Sequence, residues 1–336
     1  MCGLIGKATK SIVKDSYATG KVTGNGVWGF GGLIGYSGGT TVDKCHASGE
    51  VFSSTGWEAG GLGGRFEDGT ITSRRASGNV TGTERVGGLV GWLGTYDTEV
   101  KQSHATGNVR ATKGSNAGGL VGWVQNSILT SCSATGNVDG NSNVGGLVGL
   151  MDNGSISKSE AFGNASILNS GTSANGAAVG GLAGSVRNYS SVMFSMAAGD
   201  AKGSDGGALI GYISGNIHNL REVYATGKVS GDHNIGKMIG RIDPENKTSV
   251  LFKNSYYWKE SLDGEAQTIG SGTASDASVL NAFTYIDNEA YVDQAQRLFN
   301  ALGANWSSAV CTLPGGPKAT VTLPVMKNID IAFCQK

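Results

Sequence analysis

Proline is nearly missing from this chain, with 4 in 336 residues. That excludes collagen and proline-rich linkers, whose extended helices need proline throughout. Charge is also scarce. Asp, Glu, Lys and Arg make up 15%, in 26 acidic and 26 basic residues, so the formal net charge is zero. Nucleic acids and anionic membranes are held by a basic surplus, so no nucleic-acid partner is expected. No apolar run reaches the roughly 18 residues of a membrane helix, and no membrane insertion is expected. The five cysteines, Cys2, Cys45, Cys132, Cys311 and Cys334, include no C-x-x-C pair. A zinc site is therefore not expected, and nothing suggests a cofactor. The opening "MCGLIGKATK" has neither the charged start nor the apolar core of a signal peptide. It reads as the interior of a repeat, which gives the expectation of a processed chain or a fragment.

Glycine, by contrast, is abundant: 57 residues, against a usual share of about 7%. It is also ordered. A short anchor occurs nine times, as "CGLIG", "GGLIG", "GGLGG", "GGLVG" three times, "GGLAG", "GALIG" and "GKMIG". Its central residues are Leu4, Leu33, Leu62, Leu89, Leu120, Leu147, Leu182, Leu209 and Met238. A second anchor follows each of the first eight, for example "YATGKV", "RASGNV" and "HATGNV". Its alanines run from Ala18 and Ala47 to Ala197 and Ala225. Read as a strand, it sends Ala18, Gly20 and Val22 one way and Thr19 and Lys21 the other. Five residues before each alanine stands an apolar residue: Val13, Val42, Ile71, Val100, Leu129, Ile156, Val192 and Leu220.

A short repeat with little helical periodicity predicts an all-β fold, a β-helix-like β-solenoid of about nine coils over 1–250. One repeat cannot bury its own apolar side, whereas stacked coils can, each strand pairing with its counterpart about 4.8 Å away. Interior glycines would let sheets approach closely, and loop glycines would supply positive φ at corners. Asn79, Asn108, Asn137 and Asn164 share a rank, as an asparagine ladder or as turn residues. The stretch "ILNSGTSANGAAVGG", Ile167 to Gly181, lengthens one repeat and reads as a flexible loop. The pattern fades near residue 250, and 251–336 is expected to be a small mixed α/β cap. Helical spacing over 288–302 there is bounded by a capping Asp287 or Asn288 and by Gly303. Cys311 and Cys334 both lie in this tail, either as a disulfide or as two free thiols.

The paired anchors "GGLVG" and "SATGNVDG" resemble the GLUG-motif repeats of large bacterial surface and secreted proteins, across all nine coils. "NSYYW", Trp306 and "LPVM" are similar to segments that often follow such repeats. The resemblance implies an extracellular or cell-surface bacterial module, a stalk or an adhesive unit, sometimes attached to a secreted peptidase. It brings no catalytic residues.

Readings as an enzyme find little in the residues themselves. His46 and His104 share a rank two coils apart, too far to hold one metal. Cys45 and Cys132 share a rank with Ser16, Ser103, Ser159 and Ser195, and so read as small buried residues. The carboxylates of "FEDG" and "YDTE" (Glu67, Asp68, Asp97, Glu99) fall in expected turns. A pair facing across a groove would suggest polysaccharide hydrolysis. The rank three after the anchor leucine is more telling: Lys7, Tyr36, Arg65, Trp92, Trp123, Leu150, Ser185, Tyr212 and Arg241. Tyr36, Trp92, Trp123 and Tyr212 are the candidate ligand-binding residues, flat plates for sugar rings or a patch for another protein. The alternative is that Trp92 and Trp123 pack over the sheet edge. Trp28 and Trp57 share a second aromatic rank. Ice binding needs a regular outward array, but the rank Thr19, Ser48, Ser77, Thr106, Thr135, Phe162, Ala198 and Thr226 is neighboured by charges. The leading expectation is a non-enzymatic adhesion or ligand-binding module. Its partner would be a glycan or a host- or neighbour-cell surface ligand, with self-association possible. A stalk or filament subunit is the alternative, with an ice-binding protein or a polysaccharide-degrading enzyme behind it.

Overall fold

The computed structural model describes residues 1–26, 28–95, 97–168, 176–215, 217–243, 250–253, 255–258, 269–271, 283–286, 306–312, 320–326 and 334–335. One turn shows the plan. Asn116–Gly118, Val121–Gln125, Ile128–Thr130, Ser133–Ala134 and Val138–Gly140 are five short strands, and Asn143–Gly145 then pairs in parallel with Asn116–Gly118 to begin the next turn. Each strand pairs in this way with its counterpart one turn away, which builds five ladders. Like positions therefore stack. Val80 pairs with Val109 and Val109 with Val138. Val13, Val42, Ile71, Val100, Leu129, Ile156, Val192 and Leu220 form one unbroken column. Two longer strands, Ile34–Asp43 and Gly63–Thr72, run through both the second ladder, that of Val121–Gln125, and the third, that of Ile128–Thr130, and join them into one bent sheet.

The described residues form an all-β solenoid. Nine anchors bound eight complete turns, so the count is about eight rather than nine, and the stack is roughly 40 Å tall at about 4.8 Å per turn. From Leu33 to Met238 every anchor residue is wholly buried, whereas Leu4, in the first anchor, is 56% exposed. Val250–Lys253, Ser255–Trp258, Ile269–Ser271 and Phe283–Ile286 continue the ladders in parallel. Trp306–Thr312 pairs antiparallel with Thr320–Met326 and Cys334–Gln335, which makes Cys311 and Cys334 Cα partners. No helix occurs among the described residues. The helix expected over 288–302 lies outside them, as do residues 169–175 of the long insertion.

Three expectations are corrected. First, the second anchor is not one strand. It breaks into pairs such as Tyr17–Ala18 and Val22–Gly24, with a corner between them. The inward alternation survives the corner, since Ala18 and Val22 are buried while Thr19 and Lys21 are exposed. Glycine is required at the corner because a Cβ on Gly107 would stand 2.1 Å from the Gly78 carbonyl oxygen. Gly78, Gly136 and Gly163 meet the glycine beneath them in the same way. The asparagine ladder forms here too. Asn108, Asn137 and Asn164 each donate a backbone N–H to the side-chain Oδ1 of the asparagine one turn below, at 2.9, 2.9 and 3.1 Å. The series continues from Asp200 N–H to Asn164 Oδ1 and from Lys228 N–H to Asp200 Oδ1.

Second, glycine is not the main source of positive φ. The corner three residues before each second-anchor alanine is left-handed in all eight turns, and its occupants are Asp15, Lys44, Ser73, Gln102, Ser131, Lys158, Phe194 and Glu222. The ladders on either side fix that corner strongly enough to impose a conformation costing about 1–2 kcal/mol for an L-residue. Third, the rank expected to point outward does so only in part. Thr19, Ser48, Ser77 and Thr106 are exposed, but Phe162, Ala198 and Thr226 are buried. The neighbouring column changes in step, from exposed Tyr17, His46 and Arg75 to buried Ser133, Glu160, Met196 and Tyr224. One face of the rod is thus solvated in the early turns and covered in the later ones, where apolar side chains take it over.

Candidate functional site

The rank three after the anchor leucine runs up the second ladder without a break, from Lys7 through Tyr36, Arg65, Trp92, Trp123, Leu150, Ser185 and Tyr212 to Arg241. Register alone brings Trp92 and Trp123 together. Their rings stack with centroids 5.6 Å apart and planes at 27°. The Arg65 guanidinium lies 3.9 Å from the Trp92 centroid, and that of Arg85 lies 4.6 Å from the Trp123 centroid and 5.4 Å from that of Trp92. Such stacking is favourable for both partners. It also occupies the indole faces, and Trp92 is only 8% exposed. Neither indole N–H has an acceptor among the described residues. These two tryptophans are packing elements more than open plates.

The other two candidates stand apart from this pair. Tyr36 is two rungs from Trp92, beyond Arg65, and its hydroxyl donates to Glu67 Oε2 at 2.7 Å. That bond, then burial, raises the Tyr36 hydroxyl above its ordinary pKa. Tyr212 lies three rungs past Trp123, beyond Leu150 and Ser185, with the Arg241 guanidinium 4.4 Å from its ring centroid.

Two carboxylates hold the arginines. Glu58 is fully buried and pairs with Arg85 Nη1 at 3.0 Å and Arg65 Nη1 at 3.7 Å. Burial pushes its carboxyl above the ordinary value, and the two arginines pull it back only in part. Glu67 takes bonds from Arg65 Nε at 2.9 Å, from Tyr36 and from Thr95 Oγ1 at 2.9 Å. Burial works against its charge, but those hydrogen bonds outweigh it and hold the carboxyl below the usual range. Glu58 and Arg85 belong to a polar rank four before the anchor leucine, continued by Asn116 and Asn143 and, past Ala178, by Asp205 and Asn234. Asn143 donates to Asn116, Ser185 donates to Asn143, and Arg241 pairs with Asp205. In the sequence this rank is marked only by its spacing from the anchor, which is as regular as that of the aromatic one.

The exposed aromatic surface lies beside this cluster. Trp28 is 53% exposed and Trp57 39%, with ring centroids 4.8 Å apart and planes at 64°. Their loops are tied rung to rung, by Ser54 Oγ donating to Asn25 Oδ1 at 2.8 Å and Thr55 Oγ1 to the Gly26 carbonyl at 3.3 Å. The Trp57 carbonyl accepts the Arg85 N–H at 2.7 Å.

The acidic groups expected in turns are partly elsewhere. Glu67 is within the strand Gly63–Thr72, and Glu99 opens the strand Glu99–Lys101 and pairs with Lys101 at 2.6 Å. Their side chains follow the strand alternation, which the sequence "FEDG" and "YDTE" hid behind turn-forming residues. Asp68 alone of the four takes a left-handed φ, 53°. His46 and His104 are separated by Arg75 in their column. Cys45 and Cys132 are buried, each with Sγ near two backbone carbonyls. Burial pushes the Cys132 thiol up to about 12. Their rank also contains Arg74, whose side chain is fully buried. Among the described residues no cluster of three metal-ligating side chains occurs.

The GLUG motif matches residues 82–110 and 113–139, the two turns that carry Trp92 and Trp123. Those turns are GLUG repeats, and the others share their ladder positions. No curated protein and no solved structure matches the chain.

Proposed function

We propose that this GLUG-repeat solenoid is a non-enzymatic ligand-binding or adhesive module of a bacterial cell-surface or secreted protein. The observation that supports it is the second ladder itself. It holds tyrosine, tryptophan and arginine side chains in fixed register on one stretch of the rod, next to an exposed tryptophan pair whose loops are bonded together. Such a surface is pre-organised, so little ordering entropy is lost when a ligand docks. Its chemistry is that of contact rather than turnover. Glu67 is bonded to Arg65, Tyr36 and Thr95, and Glu99 to Lys101, which leaves neither placed as an acid–base group of a hydrolase. The test is binding of the purified chain to a glycan array and to bacterial and host-cell surfaces. Saturable binding competed by free ligand is expected, and its absence on every surface sinks the reading.

The second reading is a stalk or filament subunit. It is favoured by the repetition of the same five ladders over eight turns, which makes a stiff rod. Electron microscopy showing end-to-end or lateral assembly of the purified chain would select it.

A further inference from the structure

We infer that Trp28 and Trp57 form a binding corner for the pyranose ring of a neutral glycan. This rests on the reading of the chain as a ligand-binding module, and it assigns the contact to a pair other than the stacked Trp92 and Trp123. Exposure separates the two pairs first, since Trp92 is 8% exposed and sandwiched between Arg65 and Trp123, while Trp28 is 53% exposed and Trp57 39%. Shape comes next. Two exposed indoles at 64° with centroids 4.8 Å apart make an L, in which one ring serves as a floor and the other as a wall. A floor of this kind suits the C–H face of a sugar ring, and a wall orients it. Two more rings on a flat sheet would fit a planar aromatic ligand better, but these rings are not coplanar.

Charge then chooses among sugars. Two arginines bear on the corner, Arg65 with its guanidinium 6.0 Å from the Trp28 centroid and Arg85, whose backbone N–H donates to the Trp57 carbonyl while its guanidinium lies by Trp92 and Trp123. Both are already matched, Arg65 by Glu58 and Glu67 and Arg85 by Glu58. Two cations against two carboxylates leave no local surplus to receive an acidic sugar. The next rung of the tryptophan rank is Glu84, whose neighbour Arg85 donates its N–H to Trp57. A second carboxylate brought alongside it would be repelled. A ring bearing only hydroxyls meets no such cost. Asn25 offers those hydroxyls an amide, because its Oδ1 accepts from Ser54 while no hydrogen bond among the described residues engages its Nδ2. Ser54 and Thr55 are exposed beside it. The rung-to-rung bonds between the two loops keep the corner formed in the absence of ligand, so binding needs no rearrangement.

The test uses the full chain with two probe series of equal length, neutral gluco-oligosaccharides and uronic-acid oligosaccharides, read by calorimetry and by intrinsic tryptophan fluorescence. Neutral oligosaccharides are expected to bind and to shift the emission, with uronic-acid oligosaccharides at least tenfold weaker. Trp28→Ala with Trp57→Ala should lose at least tenfold in affinity, and Trp28→Phe with Trp57→Phe should recover part of it. Both residues are exposed, so far-ultraviolet circular dichroism should stay unchanged. Neutral binding that survives the double alanine variant overturns the assignment of the corner but keeps the module reading. Tighter binding of the uronic series overturns the charge argument. Failure of both series, with cell-surface binding retained, overturns the ligand class alone.

Discussion

A single methyl group at the corner glycine should separate the interior of the rod from its end. Gly107 and Gly20 hold the same position in different turns, and neither has a left-handed φ. Replacing Gly107 with alanine puts a Cβ 2.1 Å from the Gly78 oxygen and 2.5 Å from the Gly78 carbonyl carbon. Ordinary contact begins near 3.4 Å, so the two rungs must part by 3.4 − 2.1, about 1.3 Å. The obstacle is backbone and cannot rotate away. Two bonds span the same gap, Asn108 N–H to Asn79 Oδ1 at 2.9 Å and Val80 N–H to the Asn108 carbonyl at 2.9 Å. A displacement of that size breaks both, at about 1 kcal/mol each, and overpacking adds about 1–3 kcal/mol. Gly107→Ala should therefore destabilise by about 3–5 kcal/mol, the sum of those two terms. At Gly20 a Cβ meets nothing within 4 Å, and Gly20→Ala should stay within about 0.5 kcal/mol. Guanidinium unfolding followed by circular dichroism compares the two. Because stacked coils couple only to their neighbours, Gly107→Ala should also broaden the transition or split it. Equal effects at the two positions, or less than about 1 kcal/mol at Gly107, would refute the close-stacking argument.

Other outcomes follow from the same geometry. Arg74 fills a rank of Ser and Cys, with its Nε unpartnered, Asp43 at 3.5 Å and its guanidinium pushed down to about 10 by burial. Arg74→Ser should gain about 1–3 kcal/mol in denaturant melts, and a loss of more than about 1 kcal/mol would show that the guanidinium is better satisfied than its contacts indicate. Glu58 holds its proton more tightly folded than unfolded, because burial raises its carboxyl above 4.5. Between that value and its folded pKa the native chain binds the extra proton, so its contribution to stability falls as pH rises. Glu58→Gln should remove that slope in melts taken across the acidic range, and an unchanged slope would clear Glu58 of it. Cys311 and Cys334 are backbone partners in an antiparallel pair. Peptide mapping after alkylation without reductant should find them joined in the oxidised protein, whereas two free thiols there would decide for the other alternative.

Much of the architecture was legible because a solenoid writes its contacts into the sequence period. Once strand pairs with strand one repeat away, a column such as Val13 to Leu220 is both a pattern and a contact list. The corners were less legible. Nothing in Lys44, Gln102 or Phe194 announces a left-handed backbone, since the ladders on both sides impose it. "ATGNV" reads as one alternating strand because alternation continues across the bend that glycine allows. The site was legible only in part. Register placed Trp92 on Trp123, but a column of aromatics says nothing of what lies over their faces. That was decided by Arg85 and Glu58, which come from a different strand of the turn.

Hydrogen bonds in the five ladders run along the rod, and this sets how it bears load. A pull that lifts one whole turn off the next stretches all five ladders at once. The same pull applied at Ile5–Thr9, which among the described residues pairs with Ile34–Asp43 alone, opens them one bond after another, as tape lifts from a corner. A load on that single strand would meet low, steady resistance, and one spread along the rod's flank would meet the strength of many rungs together.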